Sequence, residues 1–143
     1  MHYRNLELAD YDGVIALWRS CSGVSLRDAD SRDGIEKYLR RNPDLSFVAE
    51  QGSEIVGTIM AGHDGKRGYL QHLAVDDSLR RRGIASRLVE LCLTALKHEG
   101  IVKSHVHVLH DNALGREFWI RRDWFQRNEI VMYSFINGDN VNA

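Results

Sequence analysis

The stretch Leu73-Ala74-Val75-Asp76-Asp77-Ser78-Leu79-Arg80-Arg81-Arg82-Gly83-Ile84-Ala85-Ser86 decides how the rest of the chain is read. It begins as an apolar strand, passes through a short charged loop and enters a helix. The first turn of a helix carries amides with no carbonyl to pair with, and the positive end of the helix dipole lies there. An anion at that point gains hydrogen bonds and field together. Gly83 removes a side chain that would block close approach, and Ala85 keeps the next turn slim. Arg80, Arg81 and Arg82 add charge-assisted donors suited to a pyrophosphate or a ribose phosphate. A basic, glycine-containing loop is otherwise a solvated helix start, so the surrounding elements have to discriminate.

Outward from this stretch, the pattern is that of compact structure nearly throughout. Downstream, Ile84, Leu88, Leu91, Cys92, Ala95 and Leu96 recur at three and four residues, which predicts a long amphipathic helix ended by Gly100. Val102 to Leu109 then reads as a strand, Asp111-Asn112 opens another helix, and Ile130 to Ile136 reads as a final strand. Upstream, Ser46 to Glu50 and Glu54 to Met60 flank Gln51-Gly52-Ser53 as an antiparallel hairpin. A second tight turn, His63-Asp64-Gly65-Lys66, leads into the strand Tyr69 to Val75. Before the hairpin, His2 to Leu8 suits a first strand, and Asp10 can cap a helix bearing Val14, Leu17, Trp18 and Cys21. A shorter helix follows from Asp33, with Ile35, Tyr38 and Leu39 inward, before Pro43. A helix linking two strands implies a parallel crossover, so the sheet is mixed, and the fold class is α/β (mixed α+β). Residues 1–136 are expected to form one domain, with 137–143 a polar tail.

Composition sets the outer limits. At 143 residues, 43% hydrophobic and 27% charged, the chain suits one globular domain with a single core. A formal charge of −1 makes the three arginines a local feature rather than part of a basic face, which argues against nucleic acid as the main partner. No apolar run approaches the ~18 residues of a membrane span, and the start has no signal-peptide pattern, so no membrane partner and a cytoplasmic location are expected. Cys21 and Cys92 fall on apolar helix faces and read as buried thiols rather than a disulfide.

Arg80-x-x-Gly83-x-Ala85, between an apolar strand and an amphipathic helix, resembles the acetyl-CoA signature Q/R-x-x-G-x-G/A of the GNAT family of N-acetyltransferases. A second segment, Asn112-Ala113-Leu114-Gly115-Arg116-Glu117-Phe118-Trp119, is similar to that family's N-x-x-A/G-x-x-F-Y. With the order of elements, the resemblance extends over residues 2 to 135. It is strongest to the small bacterial single-domain members with a G-x-D-G-x-R-G turn, here Gly62-His63-Asp64-Gly65-Lys66-Arg67-Gly68. The resemblance implies the GNAT acyl-CoA N-acyltransferase fold: a central, mostly antiparallel sheet with helices on both faces and a splayed strand pair that admits the cofactor. It implies transfer of an acetyl group from acetyl-CoA to a primary amine by direct attack in a ternary complex, without a metal. The acceptor would be a small-molecule, peptide or protein amine, and a homodimer is compatible with the family.

Residue by residue, the resemblance places the backbone of Leu73, Ala74 and Val75 against the pantetheine arm. The Leu73 N–H serves as donor to the developing oxyanion. Arg80, Arg81, Arg82, Gly83, Ile84, Ala85 and Ser86 surround the pyrophosphate, and Asn112 contacts the cofactor. Trp119 stands where relatives carry a tyrosine that protonates the departing thiolate. Indole has one N–H and no titratable proton in the useful range, so Trp119 can steady the sulfur or pack beside it but cannot be a general acid. Asp123-Trp124 replaces the usual Gly-Phe, a second departure.

The general base is less well marked. Tyr69 occupies the position where some relatives carry a glutamate. Strand alternation puts Tyr69, Gln71 and Leu73 on one face and Leu70, His72 and Ala74 on the other, unless a bulge intervenes. That parity makes His72 a hydrogen-bonded structural histidine, leaving Glu50 and Asp64 to act through water. His105-x-His107 with His110 raises the question of zinc, but no carboxylate or thiol completes a recognised ligand spacing. Arg116, Arg121, Arg122 and Arg127 read as a solvated helix face. Two rival functions stay open: a non-catalytic acyl-CoA-binding module, prompted by Trp119 and the missing carboxylate, and a nucleic-acid-binding domain using the arginine run.

Overall fold

The computed structural model describes all 143 residues. They form two compact units, residues 1–107 and residues 108–143.

The first unit is built on a five-stranded sheet in the order β1-β2-β3-β4-β5. Its strands are β1 His2–Asn5, β2 Phe47–Gln51, β3 Glu54–His63, β4 Gly68–Val75 and β5 Ser104–Val106. The first three pairings are antiparallel and β4–β5 is parallel. The helices of this unit are α1 Tyr11–Ser20, α2 Arg32–Arg41 and α3 Ile84–His98. A crossover through α3 therefore joins the two parallel strands, as short antiparallel turns and one long helical connection require. Gly100 ends α3 at φ +80°, a conformation that glycine adopts without steric cost.

Alternation along β3 separates the two layers. Thr58 and Met60 face α1, where Val14, Leu17, Trp18, Val48, Met60 and Ala74 belong to one buried cluster. Gly57 faces α3: a Cβ there would lie 3.0 Å from Ile84 and 3.2 Å from Leu88. The missing side chain lets the helix approach the sheet closely, and Leu88, Cys92 and Leu96 are fully buried beneath it. Cys21 and Cys92 are free, buried thiols.

Three expectations need correction. Asp10 precedes α1 but does not cap it with its side chain. Its carboxylate instead accepts from the Glu7 amide (2.9 Å) and from both terminal nitrogens of Arg4 (2.8 and 2.7 Å), a competition that the stronger charged donor wins. The strand expected over Val102 to Leu109 contracts to Ser104–Val106, the three residues that pair with Gly68, Tyr69 and Leu70 of β4. The strand expected over Ile130 to Ile136 does not form. Its apolar pattern is suitable, but a strand persists only when its backbone groups find a partner edge, and this segment has none.

The second unit holds α4, Ala113–Ile120. Asn112 caps it, with its side-chain oxygen accepting from the Gly115 amide at 2.9 Å. Trp119 is 7% exposed, with Phe118 and Trp124 packed edge-on at ring-centroid distances of 5.1 and 4.6 Å.

Candidate active site

The site begins with a change of register. Opposite β3, Thr58 pairs with Ala74 and Met60 pairs with Gln71, so β4 carries one extra residue between these pairs. His72 sits in this bulge at φ +53°, in the left-handed region. The bulge overturns the expected alternation. Tyr69 lies opposite Gly62, Gln71 opposite Met60 and Ala74 opposite Thr58, all on the α1/α2 side, and the His72 ring packs edge-on against Trp18 at 4.5 Å. His72 therefore shares a face with Tyr69 and Gln71 rather than opposing them.

Several groups hold the bulge. Trp18 Nε1 donates to Thr58 Oγ1 at 2.8 Å, and Thr58 Oγ1 donates to the His72 carbonyl at 3.0 Å. His72 Nε2 meets Asp30 Oδ1 at 2.7 Å, with both side chains largely buried. Asp30 lies in a short helical turn, Asp28–Asp30, between α1 and α2. Burial pushes its carboxyl up, but hydrogen bonds from His72 and the Arg27 amide outweigh that and hold it below the usual carboxylate range. Left-handed backbone at a non-glycine residue costs of order 1–2 kcal/mol, and this set of contacts offsets it.

Past the bulge, β4 has a free edge. Its parallel pairing with β5 covers only Gly68, Tyr69 and Leu70, so Gln71 to Val75 have no neighbour on that side. The Asp76 amide donates to the Val56 carbonyl at 2.9 Å. Backbone alternation then turns the amides of Val75 and Leu73 away from β3, toward the open edge. An extended ligand can pair with these groups as an added strand.

The open edge runs into the loop that precedes α3. Arg81 and Gly83 both have positive φ, +61° and +80°. The first helical ladder bond is from the Arg87 amide to the Gly83 carbonyl, 3.0 Å, so the amides of Ile84 and Ala85 start the helix without intrahelical partners. Nothing lies within 4 Å of where a Gly83 Cβ would project. Arg80 is tied to Asp77 at 2.7 Å, whereas Arg81 and Arg82 are exposed without an ion pair. The loop thus offers two guanidinium groups, bare amides and open space for an anion.

A family model described as the acetyltransferase (GNAT) family matches residues 11–124. The chain belongs to the GNAT acetyltransferase family. Among its relatives are an acetyltransferase of Pectobacterium atrosepticum, 38% identical over 112 residues (78% of this chain, 79% of that protein), and one of Sodalis glossinidius, 38% identical over 132 residues (92% of each). Solved structures share the fold at low identity. The aminoglycoside 6′-N-acetyltransferase AAC(6′)-Ig of Acinetobacter haemolyticus superposes with a TM-score of 0.76 at 19% identity, covering 97% of this chain and 100% of that one. The PaiA N-acetyltransferase of Thermoplasma acidophilum, solved with coenzyme A, gives 0.74 at 19% identity, covering 85% and 87%.

In this GNAT acetyltransferase, the structure brings Leu73, Ala74, Val75 and residues 80 to 86 into one continuous strip of the first unit. Tyr69 is 38% exposed on the same strand, with His105 tilted against it at 5.8 Å. Two candidate bases are already engaged. Glu50 binds Arg4 at 2.5 Å, and Asp64 closes its own turn by accepting from the amides of Lys66 (2.8 Å) and Arg67 (2.7 Å). In the second unit, the side-chain oxygen of Asn112 serves the helix cap, and Trp119 is a packed core residue. Arg122 lies 3.6 Å above the Phe118 ring, so it is not simply solvated. No group of three or more His, Cys, Asp or Glu side chains could hold a metal ion. Sequence reasoning missed Asp30. No local motif marks it, because its partner is 42 residues away across a bulge that only the sheet register shows.

Proposed function

We propose that this chain transfers the acetyl group of acetyl-CoA to a primary amine by direct attack within a ternary complex. The observation that carries the reading is the free edge of β4 from Gln71 to Val75, continuous with the positive-φ loop and bare helix start at Gly83. In this reading the Val75 amide pairs with the pantetheine arm, Ala74 backs it, and the Leu73 amide donates to the thioester oxygen as charge develops there. Arg81, Arg82, Gly83, Ile84, Ala85 and Ser86 receive the pyrophosphate, with Arg80 moderated by Asp77. Positioning the two reactants supplies much of the acceleration. Within the first unit, Tyr69 stands on the acceptor side. A neighbour of the same fold, AAC(6′)-Iy, was solved with a CoA-containing bisubstrate analogue of an aminoglycoside, which supports an amine acceptor.

A non-catalytic acyl-CoA-binding module is the second reading, favoured by the buried indole of Trp119 at the position of the family's proton donor. Thiol release from acetyl-CoA, measured across peptide N-termini, lysine peptides, polyamines, aminoglycosides and amino acids, separates the two. Release with at least one amine supports transfer. Calorimetric acetyl-CoA binding with no release across the panel favours the module.

A further inference from the structure

We propose that the His72–Asp30 pair accepts the proton that an incoming ammonium must lose before it can attack. The proposal rests on the acetyltransferase reading and supplies the base that reading lacks.

Three structural observations converge on it. The bulge moves the imidazole onto the face shared by Tyr69 and Gln71 and places it one residue before Leu73, the candidate oxyanion donor. Base and oxyanion donor thus come from adjacent residues of one strand. Second, His72 Nε2 lies 2.7 Å from the Asp30 carboxylate, which can only accept, so Nε2 carries a proton and, in the neutral ring, the lone pair sits on Nδ1. Third, the ring is held edge-on by Trp18 yet its side chain is still 14% exposed, so it is oriented without being sealed. The other groups nearby do not compete. From α1 come uncharged Trp18 and, just beyond it, the Cys21 thiol, which points to the Val75 carbonyl at 3.8 Å. From β3 comes the Thr58 hydroxyl, engaged with the His72 carbonyl. The Tyr11 hydroxyl donates to the Asp30 backbone carbonyl at 2.9 Å, leaving the carboxylate to His72 and the Arg27 amide.

The proton balance is complete. Nδ1 takes one proton from the substrate ammonium, directly or through one water. The neutral amine then forms an N–C bond to the acetyl carbonyl carbon, and the C–S bond breaks with its electron pair going to sulfur. The second amine proton leaves the new amide nitrogen and neutralises the CoA thiolate, and the imidazolium returns its proton to solvent. The Asp30 charge stabilises the imidazolium in the interval.

The test compares the parent with His72→Asn, which tolerates the left-handed backbone but cannot titrate. The acceptors are a peptide with a free α-amine and an N-blocked lysine peptide, assayed by thiol release from pH 6 to 10. An α-amine is deprotonated near pH 7.7 and a lysine near 10.4, so the need for a base differs between them. With the lysine peptide at pH 7, turnover number is expected to fall roughly 10²–10⁴-fold, with the loss shrinking as pH rises. The α-amine should lose far less, and acetyl-CoA affinity by calorimetry should be unchanged. Asp30→Asn should follow the same pH pattern with a smaller loss. Equal losses on both peptides at every pH overturn the proposal and leave the pair a brace for the bulge. An independent reading is the nitrogen-15 NMR of the parent's His72 ring without substrate, where an Nδ1-protonated tautomer also overturns it. Absence of acetyl-CoA binding counts instead against the acetyltransferase reading on which the proposal stands.

Discussion

At the scale of single residues, Gly83 carries two separable demands. Its φ of +80° asks for glycine on backbone grounds, and the empty space before it asks for glycine only if a ligand comes close. Gly83→Ala costs about 1 kcal/mol of stability through the backbone alone. Gly83→Glu adds a carboxylate aimed at the phosphate position. Calorimetry with acetyl-CoA should show the glutamate variant losing binding by far more than the alanine variant, while melting curves shift alike. Equal affinities in the two variants would remove the phosphate-cradle role. Trp119 poses a different question, since it is buried between Phe118 and Trp124. Trp119→Tyr restores a hydroxyl that relatives use, and Trp119→Phe keeps a ring without a donor. If thiolate protonation limits turnover, the tyrosine variant should match or exceed the parent in kcat while the phenylalanine variant does not exceed it. If Trp119 only packs, both smaller rings should lower the melting temperature and leave kcat within a few-fold.

At the scale of elements, the bulge in β4 depends on a hydroxyl that carries two hydrogen bonds at once. Thr58 accepts from Trp18 on α1 and donates to the His72 carbonyl, so one fully buried atom ties α1, β3 and β4 together. Thr58→Val keeps the shape and leaves both partners unsatisfied, at a cost of about 1–3 kcal/mol for each buried group left unpaired. Denaturant unfolding should show a fall in that range. Thiol release should fall further than stability explains, because the Leu73 amide loses its fixed direction. Trp18→Phe removes the donor and shrinks the buried ring packed against His72, so it should lower both stability and turnover. The elements around this point were readable from sequence because each has a local signature: tight turns at Gln51-Gly52-Ser53 and His63 to Lys66, and helical periodicity from Ile84 to Leu96. The bulge was not. An extra residue in a strand leaves the apolar pattern of Leu70 to Val75 nearly unchanged, and only the pairing of Thr58 with Ala74 and Met60 with Gln71 shows it. The phosphate-like loop was legible for the converse reason, since glycine, arginine and a helix start are all local. Ile130 to Ile136 carries a strand-like side-chain pattern, but a partner edge decides whether a strand forms, and no local residue signals its absence.

Across the first unit, carboxylates held by cations or amides set the response to acid. Hydrogen bonding by Arg4 leads the lowering of the Asp10 carboxyl, against its burial, while Asp30 is lowered by His72 and the Arg27 amide despite burial. A carboxyl depressed on folding contributes stability that is fully present above its unfolded value, near pH 4, and is lost as pH falls through the folded value. Stability should therefore be flat in these groups from pH 7 down to about 5 and decline below 4. Asp10→Asn should be less stable at pH 7 by about 1–2 kcal/mol and show a shallower decline in acid. A parallel acid profile in that variant would show that Asp10 contributes nothing to it. The strand order has a consequence for synthesis as well. β2, β3 and β4 follow one another along residues 47 to 75, joined by two short turns, so the centre of the sheet closes over small loops. β1 emerges from the ribosome first, yet Asn5 must wait for Phe47 to find its partner. β5 emerges after α3, so the parallel pairing that bounds the open edge of β4 is the last part of the sheet to be made. A nascent chain released before residue 104 would carry the meander and the loop at Gly83 but no second wall beside Tyr69.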